Sequence, residues 1–128
     1  MACLDTSFLI DVLGAEPAAK EVMDDLDTSG NQHGIAPVSA VELWIGASLG
    51  SMSEYRRTEQ LLDSLLWFEL DRSTARRAGE LQAQQFETGT PLSFNDCVIA
   101  ATALSNEQVL VTTDTDFSAV DQLRVRTY

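Results

Sequence analysis

Short apolar runs of β type alternate along this chain with longer segments in which apolar residues return every three or four positions. That alternation most restricts the fold, because parallel strands need a crossover of helical length between them. Ala2-Cys3-Leu4 is stopped by Asp5-Thr6-Ser7, after which Phe8, Leu9, Val12 and Leu13 recur at helical spacing until Gly14. Pro17 opens a second helix with Ala18, Val22, Met23 and Leu26 on its apolar face, and Thr28-Ser29-Gly30-Asn31 ends it. Ile35-Ala36 is a short strand candidate, and Pro37 and Ser39 start a helix in which Val38, Val41, Trp44, Ile45 and Leu49 repeat before Gly50 closes it.

A further helix is expected from about Ser53 to Ser64, then a buried strand at Leu65-Leu66-Trp67-Phe68. Ser73 to Glu87 reads as a long helix broken by Thr88-Gly89-Thr90-Pro91, and Ser93 caps the next, with Val98, Ile99, Ala101, Ala103 and Leu104 inward. Val109-Leu110-Val111-Thr112 is a strong strand, and Arg124 to Tyr128 can add an edge strand. The expectation is an α/β fold: a mostly parallel sheet with helices on both faces, formed by residues 1–128 as a single domain.

No apolar run approaches the ~20 residues needed to span a bilayer, and Met1 leads into Ala2-Cys3-Leu4-Asp5 without a basic, apolar-cored leader. A soluble, cytoplasmic protein is expected. Cys3 and Cys97 form neither a CxxC pair nor a zinc spacing, so they read as small buried residues. Twenty acidic against eight basic residues give a formal charge of −12, and Lys20 is the sole lysine. This balance opposes retention of nucleic acid by a basic surface but leaves it open as a substrate. At molar salt the Debye length falls to about 3 Å, which screens that repulsion; the composition is similar to that of proteins from salt-accumulating halophiles.

Asp5 and Asp114 fall at the carboxyl ends of expected strands, where open parallel sheets bind ligands. Taken singly, Asp5 could instead cap the following helix, and Asp114 could make a turn. Glu42 shares a helix face with Val38, Ile45 and Leu49, all within about 60° of it, so its carboxylate needs a partner or a proton. Ser93-x-x-Asp96 resembles a capping box, yet Asp96 also lies on the face carrying Ile99, Ala100 and Ala103. A doubly wound sheet could converge all four acids on one crevice. Four ionised carboxylates at close range require a cation. All-oxygen ligation favours a hard ion, Mg²⁺ or Mn²⁺, which would activate water for phosphodiester hydrolysis. Other nucleophile schemes fit poorly: His33, the only histidine, sits in a turn between Asn31 and Gly34, and neither GxxxxGK[ST] nor GxGxxG is present.

The segments Leu4-Asp5-Thr6-Ser7-Phe8-Leu9-Ile10, Ser39-Ala40-Val41-Glu42-Leu43, Asp96-Cys97-Val98-Ile99-Ala100-Ala101-Thr102-Ala103 and Thr112-Thr113-Asp114-Thr115-Asp116-Phe117 resemble, in that order, the acidic motifs of PIN-domain ribonucleases. The nearest resemblance is to VapC-type toxins of toxin–antitoxin pairs, and it spans essentially the whole chain. It implies a three-layer α/β/α PIN-like fold, Mg²⁺- or Mn²⁺-dependent RNA cleavage, a homodimer, and a small antitoxin that blocks the site. Carried over by motif, Asp5, Glu42, Asp96 and Asp114 are the metal-site and catalytic acids, Asp116 is an alternative to Asp114, and Thr6, Ser7 and Thr112 are supporting hydroxyls. Thr113 and Thr115 stand where many relatives carry a basic or amide residue.

An RNA-processing nuclease without an antitoxin and a catalytically silent binding module share this fold. The complete acid set argues against silence. A phosphatase or receiver also clusters acids at strand ends, but Lys20 is wrongly placed for the lysine a receiver requires. For an antitoxin, an arginine inserted among the carboxylates and an apolar anchor on flanking helices are expected, with Trp44 and Leu49 as candidate anchors unless they serve the core or a dimer.

Overall fold

The computed structural model describes residues 1–30, 32–89 and 92–128. Five short strands, β1 (Ala2–Leu4), β2 (Gly34–Ile35), β3 (Leu66–Trp67), β4 (Val109–Val111) and β5 (Val125–Arg126), form one sheet in the order β3-β2-β1-β4-β5. Every pairing is parallel, with Cys3 opposite Gly34 on one side of β1 and Leu4 opposite Val111 on the other. From β1 the chain winds outward through β2 and β3, then returns to build β4 and β5 on the other flank. The winding therefore reverses between β1 and β4, and a crevice opens at the carboxyl ends of those two strands.

The crossovers are α1 (Thr6–Leu13), α2 (Pro17–Asp27), α3 (Pro37–Leu49), α4 (Met52–Asp63), α5 (Arg72–Thr88) and α6 (Phe94–Ser105), with a 3-10 turn at Thr115–Ala119. Side chains alternate across a strand, so the sheet divides the interior in two. Leu4 and Val111 pack with Phe8, Leu9, Leu43 and Leu62 on one face, while Cys3 and Leu110 pack with Phe68, Ile99 and Phe117 on the other. This is the expected three-layer α/β/α arrangement. Gly34 is required by that packing, because a Cβ there would lie 2.4 Å from the Phe68 ring. No helix among the described residues is long and apolar enough to cross a membrane.

The helix starts follow the sequence closely. Ser51 forms a capping box with Glu54, Asp71 accepts from the Thr74 amide, and Ser93 accepts from the Asp96 amide. The apolar repeat of α3 is not the face it buries: Val41, Ile45 and Leu49 are 57%, 58% and 84% exposed, which leaves Leu49 outside the core, and α3 buries Ser39, Ala40, Leu43 and Ala47. Both faces of α3 are apolar, so periodicity could not choose; the smaller side chains face inward because they let the helix approach α1 and the sheet closely. In α2 the expected Ala18 is exposed and Ala19 is buried instead, because Ala19 is three, four and seven residues before Val22, Met23 and Leu26 and so lies nearer the middle of their face. Strand β2 begins at Gly34 and ends before Ala36. His33 is a loop residue, as expected, but a buried one, 3.4 Å from Asp27 and at the amino end of β2, away from the crevice. The expected breaks at Asn31 and at Thr90-Pro91 fall outside the described residues.

Candidate active site

Asp5 is the residue immediately after β1 and occupies the N-cap position of α1, yet its carboxylate makes no capping hydrogen bond. Its Oδ2 instead accepts from Thr112 Oγ1 at 2.6 Å and from Ser7 Oγ at 2.8 Å. The two hydroxyl oxygens lie 3.2 Å apart, and each also accepts a backbone amide, Thr112 from Asp114 and Ser7 from Thr113. An ionised carboxylate oxygen can only accept, so in both contacts with Asp5 the hydroxyl is the donor. One carboxylate oxygen is thus pinned from two sides. Among the described residues no hydrogen bond reaches Oδ1, although Asp5 is only 4% exposed.

Glu42 projects half-buried from α3, and its Oε1 accepts from Thr6 Oγ1 at 2.9 Å. That hydroxyl, at the first position of α1, is the partner an acid on an apolar face needs. Asp96 stands in the first turn of α6, its amide held by Ser93 Oγ at 3.2 Å. Asp114 follows β4 and caps the 3-10 turn through the Asp116 amide at 2.8 Å, so the turn reading of Asp114 holds as well.

Electrostatics tie these acids together. The Asp96 carboxyl is pushed up to about 6, first by burial, then by the charges of Asp5 and Asp114, with Glu42 adding a smaller push and the Ser93 hydroxyl opposing. A carboxylate that resists ionisation beside three others is a group that a cation would relieve. Asp116 is exposed, and the charges that raise Asp96 are those of Asp5, Asp114 and Glu42, which favours Asp114 over Asp116 as the fourth acid.

The donor set fits a hard divalent ion: it is all oxygen and anionic. Among the described residues no three His, Cys, Asp or Glu side chains close into a ready-made ligand cage. Magnesium takes only one or two carboxylates and keeps several waters, so a spaced acid ring suits it better than a closed cage. Cys3, one strand residue from the site, is driven up to about 12 by burial and then by Asp5, and Cys97 is also raised by burial; neither is poised as a thiolate.

Sequence reasoning missed Tyr128. Its hydroxyl donates to Asp11 Oδ2 at 2.7 Å, its ring meets Phe8 edge-on at 5.4 Å, and burial, then Asp11, raises its pKa. This latch joins the chain's end to α1, two turns from Asp5, and no local pattern announces it. Also unread was a groove of about 310 Å³ between α1, α3 and α4, lined by Ile10, Leu13, Glu42, Ala47, Glu54 and Arg57.

An open parallel sheet with acids ringed around its switch point defines the class: an α/β protein with a candidate hard-metal site. A family model for the PIN domain matches residues 2–123, and the chain belongs to that family. It is 27% identical over 114 residues to Ribonuclease VapC19 of Mycobacterium tuberculosis, covering 89% of each chain. Among solved structures it is similar to a chain of VapBC2 from Rickettsia felis bound to a promoter DNA fragment, with TM-score 0.88, 20% identity and coverage of 99% and 98%. A chain of DNA-bound VapBC from Salmonella typhimurium matches with TM-score 0.86, 25% identity and coverage of 99% and 98%.

Proposed function

We propose that this protein is a divalent-metal-dependent endoribonuclease, the toxin of a type II toxin–antitoxin pair acting in the cytoplasm. The observation that carries the reading is the gathering of Asp5, Glu42, Asp96 and Asp114 at the carboxyl edge of the sheet, with Asp96 raised by burial and then by the charges of the other three. The match to the PIN family and the likeness to a VapC ribonuclease support it.

In this reading Asp5, Asp96, Glu42 and Asp114 are the catalytic and metal-holding acids. Mg²⁺ or Mn²⁺, when bound, lowers the pKa of a coordinated water and offsets charge at the scissile phosphate. Asp5 presents Oδ1 while Ser7 and Thr112 hold Oδ2, so the ligand enters the reaction already oriented. Thr6 holds Glu42 in the same way from α1. Without a cation, Asp96 would hold a proton more tightly than an ordinary carboxyl, first because it is buried and then because Asp5 and Asp114 face it. RNA approaches a chain of charge −12, so screening by salt aids the encounter, as expected of a halophilic cytoplasm.

The antitoxin would lie along the groove that Glu42 helps to line and place a cation, most suitably an arginine, among the carboxylates. Exposed Leu49, and Trp44 packed on Tyr55 at 4.9 Å, are the apolar anchors on the adjoining face of α3. A homodimer completes the reading.

The test is cleavage of a defined RNA by the purified chain with Mg²⁺ or Mn²⁺, with EDTA, and after co-expression with the small protein encoded beside it. Metal-dependent cleavage silenced by the partner is expected. Cleavage that persists in the complex would remove the toxin assignment and leave an RNA-processing nuclease; no cleavage with either metal would remove the enzyme.

A further inference from the structure

Ser39 is fully buried, and its hydroxyl has no hydrogen-bond partner among the described residues. The neighbouring hydroxyls are all engaged, Thr6 with Glu42 and both Ser7 and Thr112 with Asp5. The usual outlet for a serine inside a helix is the carbonyl four residues back, but that carbonyl, of Ile35, accepts the Phe68 amide from the sheet instead. A buried hydroxyl without a partner is costly. Alanine would avoid the cost in the same space and with a higher helix propensity, so the serine calls for a reason.

Its placement supplies one. The Ser39 amide bonds the Ala36 carbonyl, which fixes the residue in the first turn of α3. Cys3 lies opposite Gly34 in the parallel β1–β2 pair, so Ala36 follows β2 at the level where Asp5 follows β1. Ser39 therefore stands at the carboxyl edge of the sheet, beside the strand that carries Asp5. At about 100° per residue it lies about 60° from Glu42 and about 40° from Leu43 around the helix. Glu42 bonds Thr6 on α1, and Leu43 packs in the core with Leu4 and Phe8. Ser39 thus occupies the arc of α3 between the acid cluster and the core.

The chemistry of the cluster says what an uncharged oxygen can do there. Mg²⁺ and Mn²⁺ bound by one or two carboxylates keep several waters, and water polarised by a dication donates strongly but accepts poorly. Such a shell needs acceptors around it. A serine oxygen accepts a hydrogen bond without adding a further negative charge to a group of acids that already repel one another.

We propose that Ser39 is a positioning residue of the metal site, whose hydroxyl oxygen accepts a hydrogen bond from a water held by the divalent ion. The inference rests on the reading of the four acids as a metal site, and deepens it with a residue that is uncharged and hydrogen-bonded to none of them. Calorimetric titration with Mn²⁺ and urea unfolding in EDTA compare the wild-type chain with Ser39→Ala and with Thr112→Val. Ser39→Ala should bind Mn²⁺ about 10-fold more weakly, the usual loss when an outer hydrogen-bonding group of a metal site is removed. Its urea midpoint in EDTA should equal or exceed that of the wild type, because the deleted hydroxyl has no partner in the metal-free fold. Thr112→Val, which removes a hydroxyl bonded to Asp5, should lose both affinity and stability. Weaker metal binding without loss of stability is what separates a positioning role from a structural one. Equal Mn²⁺ affinity in Ser39→Ala and wild type overturns the proposal and leaves the metal site standing. A lower midpoint for Ser39→Ala in EDTA also overturns it, since the hydroxyl would then serve the fold. A wild-type chain that binds no Mn²⁺ overturns the metal site and this assignment together.

Discussion

The Thr112 hydroxyl donates to Asp5 Oδ2 at 2.6 Å across the β1–β4 boundary, joining residues 107 positions apart. It is the shortest route by which the sheet orients the buried carboxylate, and the Ser7 hydroxyl repeats it from α1 at 2.8 Å. Both donors address the same oxygen. The geometry makes Asp5 a directed ligand, with its free edge fixed by two neighbouring elements.

Thr112→Val should therefore weaken Mn²⁺ binding by about 10-fold or more, the usual cost of losing a group that orients a ligand. Loss of a buried bond to a charged acceptor should also lower stability by about 1.5–3 kcal/mol. Calorimetric titration with Mn²⁺ and urea unfolding read the two effects separately. Thr112→Ser, which keeps the donor, should recover most of the metal affinity.

Asp5→Asn and Asp96→Asn should each abolish metal-dependent RNA cleavage while leaving the circular dichroism spectrum unchanged, because shape is kept and one anion is lost. In the metal-free protein Asp96→Asn should not lower the unfolding midpoint, since it relieves repulsion within the cluster, whereas Asp5→Asn should lower it by weakening the bonds from Ser7 and Thr112. Wild-type cleavage by either variant would show that the reacting centre lies elsewhere.

Asp96 also gives the metal-free protein a pH signature. Its folded pKa, about 6, lies above the ordinary 3.8, so the folded state binds this proton more tightly than the unfolded state does. The resulting stability is fully present below about pH 4 and is lost as pH rises through about 6. Urea unfolding in EDTA should show wild type and Asp96→Asn nearly matched at pH 4, with wild type falling behind above pH 6. Metal affinity should move the other way, rising through the same window as the competing proton leaves. A difference between the two proteins that does not change with pH would remove Asp96 from the cluster.

Salt should stabilise the fold. With a formal charge of −12 on 128 residues, the compact state repels itself in dilute buffer, and added ions screen that repulsion. Differential scanning calorimetry should give a midpoint that rises from dilute buffer to molar KCl. An unchanged midpoint would argue against a halophilic origin of the acidic surface.

Much of this protein is written locally. The alternation of β runs and helical periods, the caps at Ser51 and Ser93, and the acids at strand ends all follow from neighbouring residues, because propensity, capping and strand termination act over a few positions. The four acidic motifs were legible for the same reason. The inward face of α3 was not, since Val41, Ile45 and Leu49 are as apolar as the face that is buried, and only the space left by α1 and the sheet selects Ala40, Leu43 and Ala47. Nor could local pattern say that Thr112 and Ser7 share one oxygen of Asp5, that Thr6 answers Glu42, or that Asp114 is favoured over Asp116 as the fourth acid. Those relations depend on strand order. Placing β4 beside β1 brings together groups that the chain separates by most of its length, and a hydrogen bond or a carboxylate field is decided by ångströms in space.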